Sequence, residues 1–256
     1  MELVEKNSTD DVAYLETMAR DWKSELANDE LSENGLMADK TMNTTLHMME
    51  AYTELYLADH SPKVLERLKF QLDLTYDKIF DKQGNKLLVF FDKNMDVIGD
   101  IHSYGHDIEA TWLIDRATEV IGDPELTAKF AEMNKRIVRN IADIAYDKAS
   151  GSLLNERDKD KINTWRIWWV QAETVIGFMN AFQKHYGGEE YFEISSSVWK
   201  FIQEHIIDKR PGGEWYSQID DQWKPADFKP VVDPWKCPYH NGRMCMEMMR
   251  RLAEKA

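Results

Sequence analysis

The sequence predicts an all-α fold built from helical hairpins arranged around a common centre. Apolar residues recur with helical spacing over most of the 256-residue chain. Asp-Lys pairs at Asp81, Asp147 and Asp208 close three long helical stretches, at intervals of 66 and 61 residues. Such a spacing indicates an internal repeat in which each unit supplies one helical hairpin. Polar residues also recur where the helix after each repeat begins.

Eight helices follow from the periodicity, in chain order. They cover 10–28, 40–59, 61–80, 105–121, 123–146, 165–186, 189–208 and 240–254. Pro62 and Pro124 lie where a first helical turn tolerates proline. Two segments between the helices, 87–99 and 212–225, predict short β-hairpins because apolar or aromatic runs flank a polar turn.

The starts of four of these helices align with one another. They read HMMEA from His47, HDIEA from His106, VQAET from Val170 and HNGRM from His240. Residues three positions apart share one face of a helix. Glu109 and Glu173 carry the glutamate of the pattern, and Arg243 stands in its place in the fourth start. Repeats that only pack would keep apolar residues there, so we expect the three histidines to converge on one pocket.

Hairpins whose inner helices begin with polar residues aimed at one point form an (α/α)6 toroid, or barrel. The predicted helices are about eight of its twelve, so the sequence predicts an incomplete barrel with short β-hairpins in its loops. No linker is rich enough in Gly, Pro or Ser to mark a boundary, and we expect a single domain over 1–256.

Composition excludes several classes of function. The net charge is −14 and no stretch is strongly basic, which argues against a nucleic-acid partner. No apolar run approaches the ~20 residues of a membrane span, and the N-terminal residues lack the features of a signal peptide, so we expect a cytoplasmic protein and no membrane partner. Nine Trp, ten Tyr and ten Phe raise a carbohydrate hypothesis, because sugars offer C–H patches to flat aromatic faces.

Convergent His and Glu side chains permit either metal binding or acid–base catalysis. His-x-x-Glu on a helix can ligate zinc or iron, but the helices lack the ordered His/Glu pairs of a di-iron bundle and any His-x-x-x-His. We therefore expect no metal. Histidine suits proton transfer near neutral pH, and a neighbouring carboxylate orients it. Two such bases on opposite sides of a carbon meet the requirement of an epimerase.

Four blocks then carry a resemblance that extends over essentially the whole chain. They are NTTLHMMEAYTELY, HSYGHDIEATWLI, WWVQAETVIGFMNAFQ and DPWKCPYHNGRMCMEM. These blocks resemble the N-acylglucosamine 2-epimerase family, and within it the branch of the cellobiose 2-epimerases. The resemblance implies C2 epimerisation of the reducing-end glucose of β-1,4-linked disaccharides through a cis-enediolate, without cofactor or metal. Cellobiose, lactose and mannobiose are the implied substrates. An N-acylglucosamine 2-epimerase, an aldose–ketose isomerase and an inactive sugar-binding remnant are the alternatives.

The resemblance also implies roles for individual residues. His106 and His240 match the acid–base pair, and His47 matches a third histidine that polarises the carbonyl or the ring oxygen. Glu109 and Glu173 match carboxylates that hold substrate hydroxyls and tune the histidines. The remaining matched substrate-binding positions are Trp112, Trp169, Trp235, Tyr104 and Asn43. The match is to the C-terminal two thirds of the family's barrel, so we also expect a homo-oligomer that covers its open side.

Overall fold

The structure is a computed structural model that describes residues 1–10, 12–23 and 36–253. In these ranges the helices are α1 (Glu2–Asn7), α2 (Met42–Asp59), α3 (Pro62–Leu74), α4 (Tyr104–Ile121), α5 (Pro124–Ile144), α6 (Trp168–Gln183), α7 (Glu189–Phe201) and α8 (Tyr239–Ala253). Two of them, α3 and α7, continue into single π-helical turns at Thr75–Ile79 and Ile202–Ile206. When these π-helical turns are counted as part of α3 and α7, the described helices from α2 onward begin and end within three residues of their predicted bounds.

Eleven strands of two or three residues connect the helices in the described part of the chain. They are β1 (Lys40–Thr41), β2 (Phe80–Asp81), β3 (Lys86–Leu87), β4 (Phe90–Phe91), β5 (Ile101–Ser103), β6 (Tyr146–Asp147), β7 (Ser152–Leu153), β8 (Glu156–Asp158), β9 (Lys161–Asn163), β10 (Arg166–Ile167) and β11 (Gln218–Ile219). The molecule is therefore mostly helical with small sheets, as predicted. None of the described helices is both long and apolar enough to span a bilayer.

The chain divides into two compact units. The first comprises Met1–His102 and Leu113–Phe130, and the second comprises Ser103–Trp112 and Ala131–Ala256. In the first unit α2 packs on α3. Thr41 caps α2 by accepting a hydrogen bond from the Thr44 N–H, as an N-cap threonine does.

The N-terminal segment of the first unit differs from its prediction. A helix over 10–28 is wrong for residues 12–23, which are irregular, whereas 24–28 lies outside the described residues. The backbone N–H groups of Leu15 and Glu16 donate instead to Ser8 and Asp39. Tertiary partners have outcompeted the helical hydrogen bonds that the local pattern favours.

A glutamate fixes this segment to the rest of the first unit. The Glu5 carboxylate accepts hydrogen bonds from the hydroxyls of Tyr14 (2.7 Å) and Tyr52 (2.6 Å) and pairs with Arg67 at 2.6 Å. These partners come from the irregular segment, α2 and α3. A largely buried carboxylate with three polar partners is well satisfied, so these polar contacts hold α1, which has no buried residue of its own.

In the second unit, α6 is the central helix and packs against α7 and α8. Most of its side chains are buried, and helices that are apolar on every side occupy the interior of a domain. Gly177 lies on its contact with α4. A Cβ there would approach the backbone oxygen of Ile108 to 2.8 Å, so only glycine permits this spacing.

The Asp-Lys repeat of the sequence corresponds to a repeated turn. Asp81, Asp147 and Asp208 each accept a hydrogen bond from the backbone N–H two residues further on, at 2.9–3.0 Å. Aspartate closes turns in this way because its short side chain mimics a backbone carbonyl. The strands at the first two turns pair as β2 with β3 and β6 with β7, and the third turn is closed by a bridge between Ile207 and Trp215.

Both predicted hairpins are confirmed as chain reversals closed by single antiparallel bridges, but the two-residue ladders beside them have other partners. Within 87–99 the chain does reverse, with a bridge from Phe91 to Val97, but the ladder of β4 is formed with β1. Within 212–225 the chain also reverses, with a bridge from Ile219 to Pro225, while the ladder of β11 is formed with β10, in the register Arg166 to Ile219. Strands of two residues carry too little side-chain pattern to specify a partner, so tertiary packing decides it. The pairing of β10 with β11 fixes the start of α6.

Candidate active site

Three rings lie together at the starts of α4, α6 and α8. The indole of Trp169 contacts both His106 and His240, with ring centroids 4.6 Å and 5.5 Å apart respectively. The second unit supplies all three residues. His106 also shares a hydrogen bond of 2.7 Å between its Nδ1 and the hydroxyl of Ser103. Two of the three predicted histidines are therefore neighbours of one aromatic ring.

A glycine makes room for that ring. A Cβ at Gly105 would approach two ring atoms of Trp169 and a methyl group of Val170 to 2.7 Å. Such distances are below ordinary van der Waals contact, so any larger residue at this position displaces the indole. The first turn of α4 thus leaves space for the Trp169 ring at Gly105 and supplies the imidazole of His106.

His240 is oriented by a buried carboxylate. Its Nδ1 lies 2.8 Å from an oxygen of Glu173 and 3.9 Å from an oxygen of Glu109. A carboxylate only accepts, so Nδ1 carries the proton of the shorter contact and Nε2 remains as the other ring nitrogen. This is the arrangement in which a carboxylate sets the tautomer of a catalytic histidine.

Arg243 joins the two carboxylates. Its Nη2 donates to Glu109 at 2.5 Å and to Glu173 at 2.7 Å, and both acidic side chains are fully buried. The indole N–H of Trp112 donates to the second oxygen of Glu173 at 3.0 Å. The guanidinium carbon stands 4.9 Å from the ring centroid of Trp112 and 4.5 Å from that of Tyr239. We call Glu109, Glu173, His240 and Arg243 the charged cluster.

The charged cluster keeps Glu173 ionised. Burial alone would raise the pKa of this carboxyl, but the positive charge of Arg243 and the hydrogen bond from His240 outweigh burial and lower it below its ordinary value. A buried anion is stable only where such partners surround it. His240 therefore faces a carboxylate that stays charged at neutral pH.

The same side chains provide three donor atoms of the kind that bind metals. One ligand atom each from Glu109, Glu173 and His240 lie within 4.8 Å of one another. The guanidinium of Arg243 stands at hydrogen-bond distance from both carboxylates and already supplies their positive charge. The chemistry of the cluster thus fits an internal ion pair better than a metal centre.

The other predicted substrate-binding residues of the second unit have different environments. Tyr104 is buried at the start of α4, and burial raises the pKa of its hydroxyl. Trp112 is only 2% exposed, so its ring contacts protein groups and its N–H holds Glu173. Trp235 is 57% exposed and lies in the loop before α8.

His47 and Asn43 belong to the first unit, on α2. The Nδ1 of His47 lies 3.3 Å from Glu50, and 38% of its side chain is exposed. Glu16, which accepts hydrogen bonds from Thr41 and Thr44, is a further neighbouring carboxyl. Burial raises the pKa of Glu16, against the effect of those hydrogen bonds and of His47. The Oδ1 atom of Asn43 is buried and has no hydrogen-bond partner among the described residues.

Comparison with known proteins places this chain in a family. The profile of the N-acylglucosamine 2-epimerase family matches residues 3–241. The chain belongs to this family. Curated relatives include the cellobiose 2-epimerase of Ruminococcus albus, which is 56% identical over 248 residues. That match covers 97% of this chain and 63% of the relative, so the chain spans less than two thirds of the relative's length.

Solved structures of the family have the same fold. A sugar epimerase from a ruminal bacterium superposes with a TM-score of 0.93 at 56% identity, covering 97% of this chain and 63% of that one. The cellobiose 2-epimerase of Bacillus thermoamylovorans superposes with a TM-score of 0.90 at 41% identity, covering 98% of this chain and 63% of that one. The fold is of the (α/α)6 kind, as the aligned helix starts predict.

Sequence reasoning missed three residues of this family member's site. Arg243 was noted only as the residue in a glutamate's place, yet it is the cation of the charged cluster. The available signal was the positive charge of Arg243 at the position where the aligned helix starts carry a negatively charged glutamate. Ser103, the partner of His106, and Gly105, which makes room for Trp169, carried no signal because a lone serine or glycine before a helix is common.

Proposed function

We propose that this chain is a sugar 2-epimerase that inverts C2 of the reducing-end glucose of β-1,4-linked disaccharides. Cellobiose would give glucosyl-mannose, and lactose and mannobiose are further candidate substrates. The observation that carries the proposal is the placement of His106 and His240 against one indole, with His240 held by an ionised carboxylate. The identity of the relatives, which are cellobiose 2-epimerases, supports the substrate class.

The proposed reaction begins with the open-chain sugar. One histidine removes the C2 proton, and the electron pair of that C–H bond forms the C1–C2 double bond while the carbonyl oxygen gains the negative charge. The other histidine returns a proton to C2 from the opposite face, and the carbonyl reforms. A positioned base contributes about 10²–10⁴-fold to such a step. Histidine suits both roles because it exchanges protons near neutral pH.

We assign distinct roles to the groups around the two bases. Glu173 fixes the tautomer of His240, so that Nε2 is the nitrogen that exchanges the proton. Trp169 offers its face to the sugar between the imidazoles, and the exposed Trp235 offers a second aromatic surface. Glu109 and Trp112 act through Glu173 and Arg243, because both side chains are buried and hydrogen-bonded within the protein.

His47 is proposed as a third histidine that polarises the carbonyl or ring oxygen. The neighbouring Glu50 would stabilise its protonated form, which is the form that donates to an oxygen with growing negative charge. Asn43, four residues earlier on α2, is proposed as a hydrogen-bonding partner of a substrate hydroxyl. A homo-oligomer of this chain also remains a prediction, which light scattering tests.

The test is to incubate the purified chain with cellobiose in deuterium oxide and to follow the sugar by NMR. We expect glucosyl-mannose that carries deuterium at C2. His106→Ala and His240→Ala should each abolish the product, whereas exposed His185→Ala should leave its rate unchanged. A folded parent chain that yields neither epimer nor exchange refutes the proposal. Full activity in either active-site variant refutes the assignment of two bases.

A further inference from the structure

The loop that precedes α8 is held by a carboxylate outside the charged cluster. The ammonium group of Lys236 pairs with the carboxylate of Glu214, and the Lys236 side chain is 0% exposed. Glu214 also accepts a hydrogen bond of 2.6 Å from the side-chain amide of Asn241. The Lys236 ammonium stands 5.3 Å from the ring centroid of Trp168. A buried lysine ammonium is stable only beside a counter-charge, and Glu214 supplies that charge to Lys236.

These contacts connect two groups of the proposed site. Lys236 directly follows Trp235, and Asn241 directly follows His240 in the first turn of α8. The Glu214 carboxylate therefore binds both Lys236, next to the exposed Trp235, and Asn241, next to His240. Asp233 stabilises the beginning of this loop, since its carboxylate accepts hydrogen bonds from the backbone N–H groups of Trp235 and Lys236 at 2.8 Å and 2.7 Å.

Glu214 reaches this position from a separate loop that is itself anchored. Its backbone carbonyl accepts the N–H of Asp208 at 2.9 Å, next to the third Asp turn. The side chain of Asp208 is in turn held by Arg210 and Tyr216. The carboxylate that binds Lys236 and Asn241 therefore belongs to a loop whose backbone is itself held in place.

We infer that Glu214 is a positioning residue: through Lys236 and Asn241 it fixes the Trp235 loop and the imidazole of His240 relative to each other. The inference rests on the proposed function where it concerns catalysis. The part that concerns position stands on the contacts alone. Glu214 touches no reacting atom, and its effect on turnover would pass through His240, whose Nδ1 must stay 2.8 Å from Glu173.

The chain offers a direct probe of loop mobility. Cys237 is exposed beside Lys236, and Cys245 is the other cysteine of the chain. A nitroxide on Cys237, in a Cys245→Ser background, reports the mobility of the loop by its electron paramagnetic resonance line shape. NMR of ¹⁵N-histidine-labelled protein reports the Nδ1 proton of His240, assigned by its loss in His240→Gln. Neither readout depends on activity.

Glu214→Gln is expected to mobilise the label and to broaden the Nδ1 signal of His240. It should also lower kcat/KM for cellobiose by at least about ten-fold, the scale of a displaced catalytic group. Glu204→Gln is the matched control, because Glu204 is exposed in the same unit and should change none of these quantities. An immobile label and a sharp His240 signal in Glu214→Gln overturn the inference, whatever the activity.

Two further variants test the contacts of Glu214 with Lys236 and with Asn241 separately, and they replace Glu214→Gln if that variant does not fold. Lys236→Met should mobilise the label, whereas Asn241→Ala, which leaves the ion pair intact, should broaden the His240 signal with the label still immobile. The absence of both effects overturns the inference. If the parent chain lacks epimerase activity, the proposed function fails, but the label and the His240 signal still decide whether Glu214 positions these groups.

Discussion

Replacing Arg243 by methionine would leave two fully buried carboxylates without their shared cation. The ligand oxygens of Glu109 and Glu173 lie within 4.8 Å of each other. At an effective dielectric constant of about 20, two unit charges at that distance repel by about 3.5 kcal/mol. Uptake of a proton limits the cost, and removing one partner of a buried ion pair destabilises proteins by about 3–5 kcal/mol. We expect a loss of that size in the free energy of unfolding.

The measurement is urea and thermal unfolding of the parent and of Arg243→Met at pH 7. For a chain of this size the expected loss corresponds to a Tm lower by roughly 6–20 °C. Arg250→Met is the matched control on the same helix, because Arg250 is half exposed and pairs with Glu247 at 2.8 Å. Its expected change is within about 0.5 kcal/mol.

A second substitution tests the electrostatic reasoning itself. Glu109→Gln in the Arg243→Met background removes one of the two negative charges while keeping the shape of the side chain. The double variant should therefore recover most of the lost stability. The reasoning is refuted if Arg243→Met unfolds like Arg250→Met, or if the double variant is no more stable than Arg243→Met alone, since repulsion between the carboxylates would then not be the cause.

Two other perturbations follow from the same site. Gly105→Ala places a methyl group where the ring of Trp169 lies, so we expect epimer formation to slow by at least about ten-fold while the chain stays folded; unchanged turnover would show that the indole has room to move. Glu173 has a lowered pKa, so the unfolded state binds more protons and stability rises with pH. Its contribution is complete above its ordinary pKa of 4.5 and is lost as pH falls through the folded-state pKa. Urea unfolding between pH 3 and 6 should give a shallower pH dependence for Glu173→Gln, and an equal slope would contradict this.

The helices were largely predictable because each carries its own periodicity and boundary residues. Pro62 and Pro124 do begin α3 and α5. The exception, residues 12–23, forms hydrogen bonds to distant backbone and side chains that no local pattern reveals. The two hairpin reversals were predictable from their polar turns, but the ladder partners were not: β11 pairs with Arg166–Ile167, far away in sequence, and a run of two residues has no periodicity that specifies a partner.

The site was predictable in its residues and less so in its connections. Aligned helix starts pointed to His106 and His240, and the structure brings both to one indole. The contact between Arg243 and Glu109 joins residues 134 positions apart, which spacing along the chain cannot reveal. The burial of Glu109 and Glu173 could not be predicted either. A carboxylate is normally exposed unless it is paired, and the sequence does not show the pairing with Arg243.

The block from Trp235 to Arg243 has a fixed length, because its side chains bind partners in other parts of the chain. Four of its side chains bind carboxylates from elsewhere in the chain: Lys236 and Asn241 bind Glu214, His240 binds Glu173, and Arg243 binds Glu109 and Glu173. An inserted or deleted residue would move at least one of these contacts out of reach. The side chains at the exposed positions 237 and 238 form none of these contacts, so a substitution there leaves the block in place, whereas a change in loop length does not.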